Sequence, residues 1–168
     1  MNRFNVVRYT AFAIEMLLCY ILQSTPGLQL ELFGGSPVLL VPLALSISVF
    51  EDDVPAVIFG LICGLMADSG YSGPMGYYSI CLCILCFITS VLMENYIRTN
   101  LLSAFIIGTI SVPLIIFLQF VLFYIAMGYS SVWEYFISHI LSRMIFTWAF
   151  VPVFYGLNRF IAAKTKES

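Results

Sequence analysis

The sequence predicts an all-α integral membrane protein, a compact bundle of six transmembrane helices, and three observations lead there. The 168 residues are 61% apolar and 10% charged, with a mean hydropathy of +1.01. A soluble domain carries about 45–50% apolar and about 25% charged residues, so this chain has too few charges to cover a globule in water. Its apolar residues gather into long runs, and in a bilayer such runs must be helices because each backbone polar group has to be satisfied within the segment. Its basic residues, finally, fall almost entirely on one side of those runs. Seven Lys+Arg against nine Asp+Glu leave no basic footprint for nucleic acid. At about 20 residues per crossing, this length holds at most six or seven helices in a single domain.

The first helix is read over residues 6–23, ending at Ser24-Thr25-Pro26-Gly27. Arg3 and Arg8 before an apolar stretch give it the outline of a signal peptide. Glu15 interrupts that stretch and no small-x-small cleavage site follows, so it is expected to stay as an uncleaved span. The second helix (37–50) is short and contains Pro42; the third (54–68) follows the acidic turn Glu51-Asp52-Asp53. A re-entrant hairpin would put those three acids at mid-membrane, at a cost of at least about 2.5–3.5 kcal/mol each. Two short crossings are therefore expected instead, with Asp52 or Asp53 capping the third helix and Pro55 in its first turn. The remaining helices are read over 77–93, 101–127 and 137–161, leaving 162–168 as a cytoplasmic tail whose residues 164–168 are expected to be solvated and disordered.

Orientation follows from charge. With the N-terminus inside, Arg3, Arg8, Arg98, Arg159, Lys164 and Lys166 are cytoplasmic, while the outer loops 24–36, 69–76 and 128–136 contain no Lys or Arg. Both termini are then expected in the cytoplasm. Aromatic residues fit the two interfaces, with Tyr71, Tyr77, Tyr78, Tyr129, Trp133 and Tyr135 outside and Tyr9, Tyr96 and Tyr155 inside.

The most informative stretch is Gly60-Leu61-Ile62-Cys63-Gly64-Leu65-Met66-Ala67-Asp68. Gly60, Gly64 and Asp68 share one stripe of the third helix, and glycines at that spacing let a neighbouring helix approach backbone to backbone. Helix packing is the expected role, with a substrate groove as the sharper alternative. Asp68 and Arg143 both lie about 9 Å below the outer boundary on a rise of about 1.5 Å per residue, so a contact tying the third helix to the sixth is expected. His139, one turn from Arg143, reads as an interfacial polar residue, since no second ligand stands at metal spacing. Glu15 is expected to make an interhelical hydrogen bond.

Cys19, Cys63, Cys81, Cys83 and Cys86 all lie in apolar runs and read as small core side chains. On a helix Cys81 and Cys83 point about 200° apart, which spoils them as a ligand pair. The loop Gly70-Tyr71-Ser72-Gly73-Pro74-Met75-Gly76 reads as a tight turn with positive-φ glycines rather than a phosphate cradle. Neither Gly-x-Ser-x-Gly nor His-Glu-x-x-His occurs, and one His offers little acid–base chemistry. No enzyme, metal or cofactor is expected.

Gly60 to Asp68, followed by Gly73-Pro74-Met75-Gly76, resembles the Gly-φ-x-x-Gly-Leu-x-x-Asp stretch and Pro-x-Gly loop of the rod shape-determining protein MreD family. The resemblance implies a non-catalytic subunit of the bacterial cell-elongation machinery. Such proteins lie in the inner membrane, bind the bitopic protein MreC, and link MreB filaments to the glycan polymerase RodA and its penicillin-binding transpeptidase. The rival reading is a substrate-binding S component of an energy-coupling-factor vitamin transporter, which has a similar size and bundle. That reading wants small residues spaced by four on the first helix, whereas Ala11 is followed by Glu15 and Ala13 by Leu17.

Overall fold

The computed structural model describes residues 3–25, 37–69, 76–95, 101–125 and 140–166. Nearly all of these residues are helical, without a strand among them. The helices are α1 (Arg3–Ser24), α2 (Leu40–Ser48), α3 (Asp53–Ser69), α4 (Tyr77–Asn95), α5 (Leu101–Phe120, running on into a π-helical turn Val121–Ile125), α6 (Leu141–Ala149) and α7 (Val151–Lys166).

The architecture is set around α2. All nine of its residues are buried, and Val38, Leu40, Val41, Leu43 and Ile47 have no exposed surface. Helices α3, α4 and α7 enclose it most closely, with α1, α5 and α6 completing the wall. The outer helices turn their apolar residues away from that centre: Val7, Ile14, Leu17, Leu18 and Ile21 of α1 are each more than half exposed. Where lipid is the alternative solvent, burying leucine gains little, so close packing and polar ties must hold α2 in place.

Among the described residues, four stretches are long and apolar enough to cross a membrane: Val6–Ser24, Tyr77–Asn95, Leu102–Phe123 and Leu141–Lys164, the last taking α6 and α7 together. Helices α2 and α3, both expected to cross, are not among them. The nine residues of α2 rise about 14 Å, less than half of a hydrocarbon core of about 30 Å. Pro42 stands in its first turn, where a missing N–H is tolerated, and this delays the helix to Leu40 within the expected segment 37–50. Helix α3, at 17 residues, begins as expected at the acidic turn, with the Asp52 carbonyl accepting the Ala56 N–H at 3.0 Å.

The contacts sort the helix ends into two groups. Arg8, Glu51 and Ser90 meet at one end, where Phe50 also stacks on Tyr155 with centroids 5.2 Å apart. Tyr20 meets Ser69, and Asp68, Tyr78, Gln119 and Arg143 gather, at the other.

Two expectations change here. Residues 162–166, expected in a cytoplasmic tail that is disordered from Lys164 on, continue α7, in which Ala162 is buried. The helix expected over 137–161 is broken at Phe150, whose φ and ψ are −80° and −14°. Pro152 explains the break: it lacks the N–H that the Trp148 carbonyl would accept, and that carbonyl takes the Phe150 N–H instead.

Candidate functional site at the Asp68 end of the bundle

The site is built on the α3–α4 hairpin, and glycine makes it possible. A Cβ at Gly64 would lie 2.6 Å from the Ser79 backbone nitrogen and overlap the Ser79 Cα. A Cβ at Gly60 would lie 2.9 Å from the Cys86 sulfur and 3.0 Å from the Leu82 carbonyl oxygen. The stripe expected from the sequence is therefore filled by this chain's own α4. Backbone lies against backbone, and no groove is left for a substrate there.

That approach delivers Asp68 to the start of α4. Its Oδ1 accepts the Tyr78 N–H at 3.0 Å, and Oδ2 accepts the Gly76 and Ser79 N–H groups, each at 3.1 Å, and the Ser79 hydroxyl at 2.7 Å. The first N–H groups of a helix have no partner within it, and the helix dipole places positive potential there. A carboxylate from α3 thus caps α4, and no Lys or Arg among the described residues forms an ion pair with it. Gly76 is the one positive-φ glycine among the described residues, at +101°, and it turns the chain into that cap.

Tyr78 extends the network. It is 1% exposed; its hydroxyl accepts from Arg143 Nη2 at 2.5 Å and donates to Gln119 Oε1 at 2.6 Å. The expected Asp68–Arg143 contact is not made: Asp68 binds the Tyr78 backbone and Arg143 its hydroxyl, so the two are joined only through Tyr78. Four helices (α3, α4, α5 and α6) meet there. Tyr77, on the neighbouring face, donates to the Ile115 carbonyl at 2.6 Å.

The Glu51 end carries a different device. Arg8 Nε lies 2.7 Å from Glu51 Oε1, and Nη2 donates to Oε2 at 2.9 Å. The Glu51 carbonyl accepts the Ser90 hydroxyl at 3.0 Å, so the turn is tied to both α1 and α4. Burial pushes the Glu51 carboxyl above its usual range, and the Arg8 guanidinium pulls it back. Between the two ends, Asn158 of α7 donates to the Ser46 hydroxyl of α2.

The other expected residues fare differently. Glu15 makes no interhelical hydrogen bond among the described residues: both carboxyl oxygens are shielded and find no partner there. It stands on α1 beside the buried Phe12 and Met16, at the edge of their arc, where apolar side chains surround it. His139 and Gly73-Pro74 lie outside the described residues. Cys19, Cys63 and Cys86 are buried as core side chains, with the Cys63 thiol 3.1 Å from the Met16 sulfur. Among the described residues no group of three or more His, Cys, Asp or Glu could hold a metal ion.

Sequence reasoning missed Gly108, where a Cβ would lie 2.6 Å from Val151 of α7. Its signal was Ala104 four residues earlier, the same small-residue spacing noticed in α3. It also missed the Arg8–Glu51 and Asn158–Ser46 ties, since partners far apart in sequence leave no local pattern. No family model, curated protein or solved structure matches the chain.

Proposed function

We propose that this protein is a non-catalytic, multi-pass subunit of the bacterial cell-elongation (rod) complex, similar to the MreD family, that binds MreC in the inner membrane and supports lateral peptidoglycan synthesis. In this reading the chain crosses six times with both termini in the cytoplasm, α2 being carried through inside the bundle rather than against lipid. MreB, RodA and its transpeptidase are reached indirectly.

One observation carries the proposal. The residues on which the resemblance rests (Gly60, Gly64 and Asp68) form a single physical unit, a glycine-packed hairpin locked by a carboxylate cap. A motif of that kind specifies a shape, as expected of a subunit that presents surfaces to other helices. The apolar outer faces of α1, α4 and α5 supply such surfaces.

The test is co-purification with MreC from membranes in which both are expressed, together with depletion in a rod-shaped host. Retention of MreC through detergent extraction and rounding of depleted cells support the proposal. Normal rods with impaired vitamin uptake would replace it with the transporter reading.

A further inference from the structure

Helix α6 is assembled the opposite way from α2. Within its nine residues the two buried ones, Arg143 and Thr147, are both polar, while Leu141 and Ile145 are 42% and 55% exposed. Met144 and Trp148 reach only the rim of the core. Its side chains make hydrogen bonds to three separate elements. Arg143 donates to the Tyr78 hydroxyl of α4 at 2.5 Å. The Thr147 hydroxyl accepts the Val38 N–H just ahead of α2 at 3.2 Å, and the Trp148 indole donates to the Thr109 hydroxyl of α5 at 2.8 Å.

Helix α7 is seated differently. Val151, Phe154, Tyr155, Asn158 and Ala162 are buried, and Val151 fills the notch at Gly108. Between a seated helix and a hydrogen-bonded one stands the break at Phe150, imposed by Pro152. Few residues absorb the change when one packed element moves against another, and a break of this kind is where they are found.

We infer that α6 is a hinged segment, pivoting at Phe150–Pro152 and latched shut by the Arg143–Tyr78 and Thr147–Val38 hydrogen bonds. Both latches are directional and short-ranged, so a small swing of α6 breaks them together. The swing opens the bundle at the N-terminal end of α2 and exposes the Val38 N–H and the Tyr78 hydroxyl. Lipid accepts the outward apolar residues of α6 in either position, so its inward ties decide the balance: the two latches, the Trp148–Thr109 bond and the Trp148 ring against Phe105. This device goes beyond the proposed function and does not depend on any partner.

Hydrogen exchange on the full-length protein in lipid nanodiscs tests it, with segments 141–149 and 151–166 read separately. A hydrogen bond to a charged group is worth enough that Tyr78→Phe should speed exchange of 141–149 about tenfold. Exchange in 151–166 should stay within about twofold. Thr147→Val, which removes the acceptor of the Val38 N–H without touching α4, should act in the same direction. Pro152→Ala restores the missing N–H and should slow exchange of 141–149 in the Tyr78→Phe background. An equal rise across all helices in both latch variants, or no change in 141–149 in either, would overturn the inference. So would a Pro152→Ala variant that leaves the exchange of 141–149 unaltered.

Discussion

The bundle neutralises a buried carboxylate at each end, once with backbone and once with a cation. Asp68 is 6% exposed and is held by the N–H groups of Gly76, Tyr78 and Ser79; Glu51 is 5% exposed and is held by the Arg8 guanidinium. The first solution uses groups that α4 would otherwise leave unsatisfied, so charge and cap stabilise each other. The second brings two charges out of solvent, and their attraction has to offset the desolvation of both. One end is anchored to a helix terminus that cannot be removed. The other is anchored to a side chain that can.

The largest expected effect is at the ion pair. Arg8→Met leaves the Glu51 carboxylate buried beside Ser90 with its cation gone, at a cost of about 3–5 kcal/mol for a pair of this burial. Thermal unfolding in detergent measures it. The sign with pH is fixed by the direction of the Glu51 shift. Its folded-state affinity for a proton is raised above the usual value of 4.5, and loss of Arg8 raises it further. Stability is therefore retained below that usual value and lost as pH climbs through the folded-state value, so the deficit should shrink in acid.

Next comes Gly64→Ala, which sets a methyl group 2.6 Å from the Ser79 nitrogen. The helices must part, at a cost of about 3 kcal/mol, and the Asp68 cap loosens with them. Gly156 is the control, since a Cβ there meets nothing within 4 Å. Gly156→Ala should be neutral or stabilising by up to about 1 kcal/mol. Equal losses at the two positions would remove close packing as the explanation of the Asp68 end.

Asp68→Asn should cost about 2 kcal/mol, because the amide keeps one acceptor and loses the charge that matches the helix dipole. Tyr78→Phe should cost about 1–2 kcal/mol and reduce the coupling measured between Asp68→Asn and Arg143→Gln in a double-mutant cycle. Coupling undiminished by Tyr78→Phe would mean that Tyr78 is not the bridge.

The Asp68 end was the more legible in the sequence, and the reason is physical. Gly60, Gly64 and Asp68 lie at helical spacing within nine residues, and one acid at depth demands a partner. Hydropathy likewise gave the apolar helices, because lipid imposes a length on them. Hydropathy did not separate the buried α2 from a lipid-facing helix. A segment buried among helices and one bathed in lipid have the same composition, and only length, shortened by Pro42, tells them apart. The break at Phe150 had a local cause in Pro152, yet a proline in an apolar helix is common enough in membranes to pass as an uninterrupted span. The rule that buried acids find donors misleads at Glu15, which stands shielded without one among the described residues.

The smallest expected effect distinguishes the two ends most sharply. Replacing a buried ion pair by apolar residues of similar volume is often close to neutral, since both desolvation costs vanish with the attraction. Arg8→Met combined with Glu51→Leu should therefore recover most of the loss, returning to within about 1 kcal/mol of the parent. The Ser90 bond is to the Glu51 carbonyl and survives the change. No corresponding second substitution exists for Asp68: with the carboxylate gone, the N–H groups of Tyr78 and Ser79 remain buried at the head of α4 and still need an acceptor. Asp68→Leu should thus stay at least about 2 kcal/mol below the parent even when Arg143→Leu is added. Recovery at the Glu51 end without recovery at the Asp68 end is the pattern expected of a side-chain pair set against a helix cap. Recovery at both ends would mean that Asp68 is held by charge alone and that the cap contributes nothing.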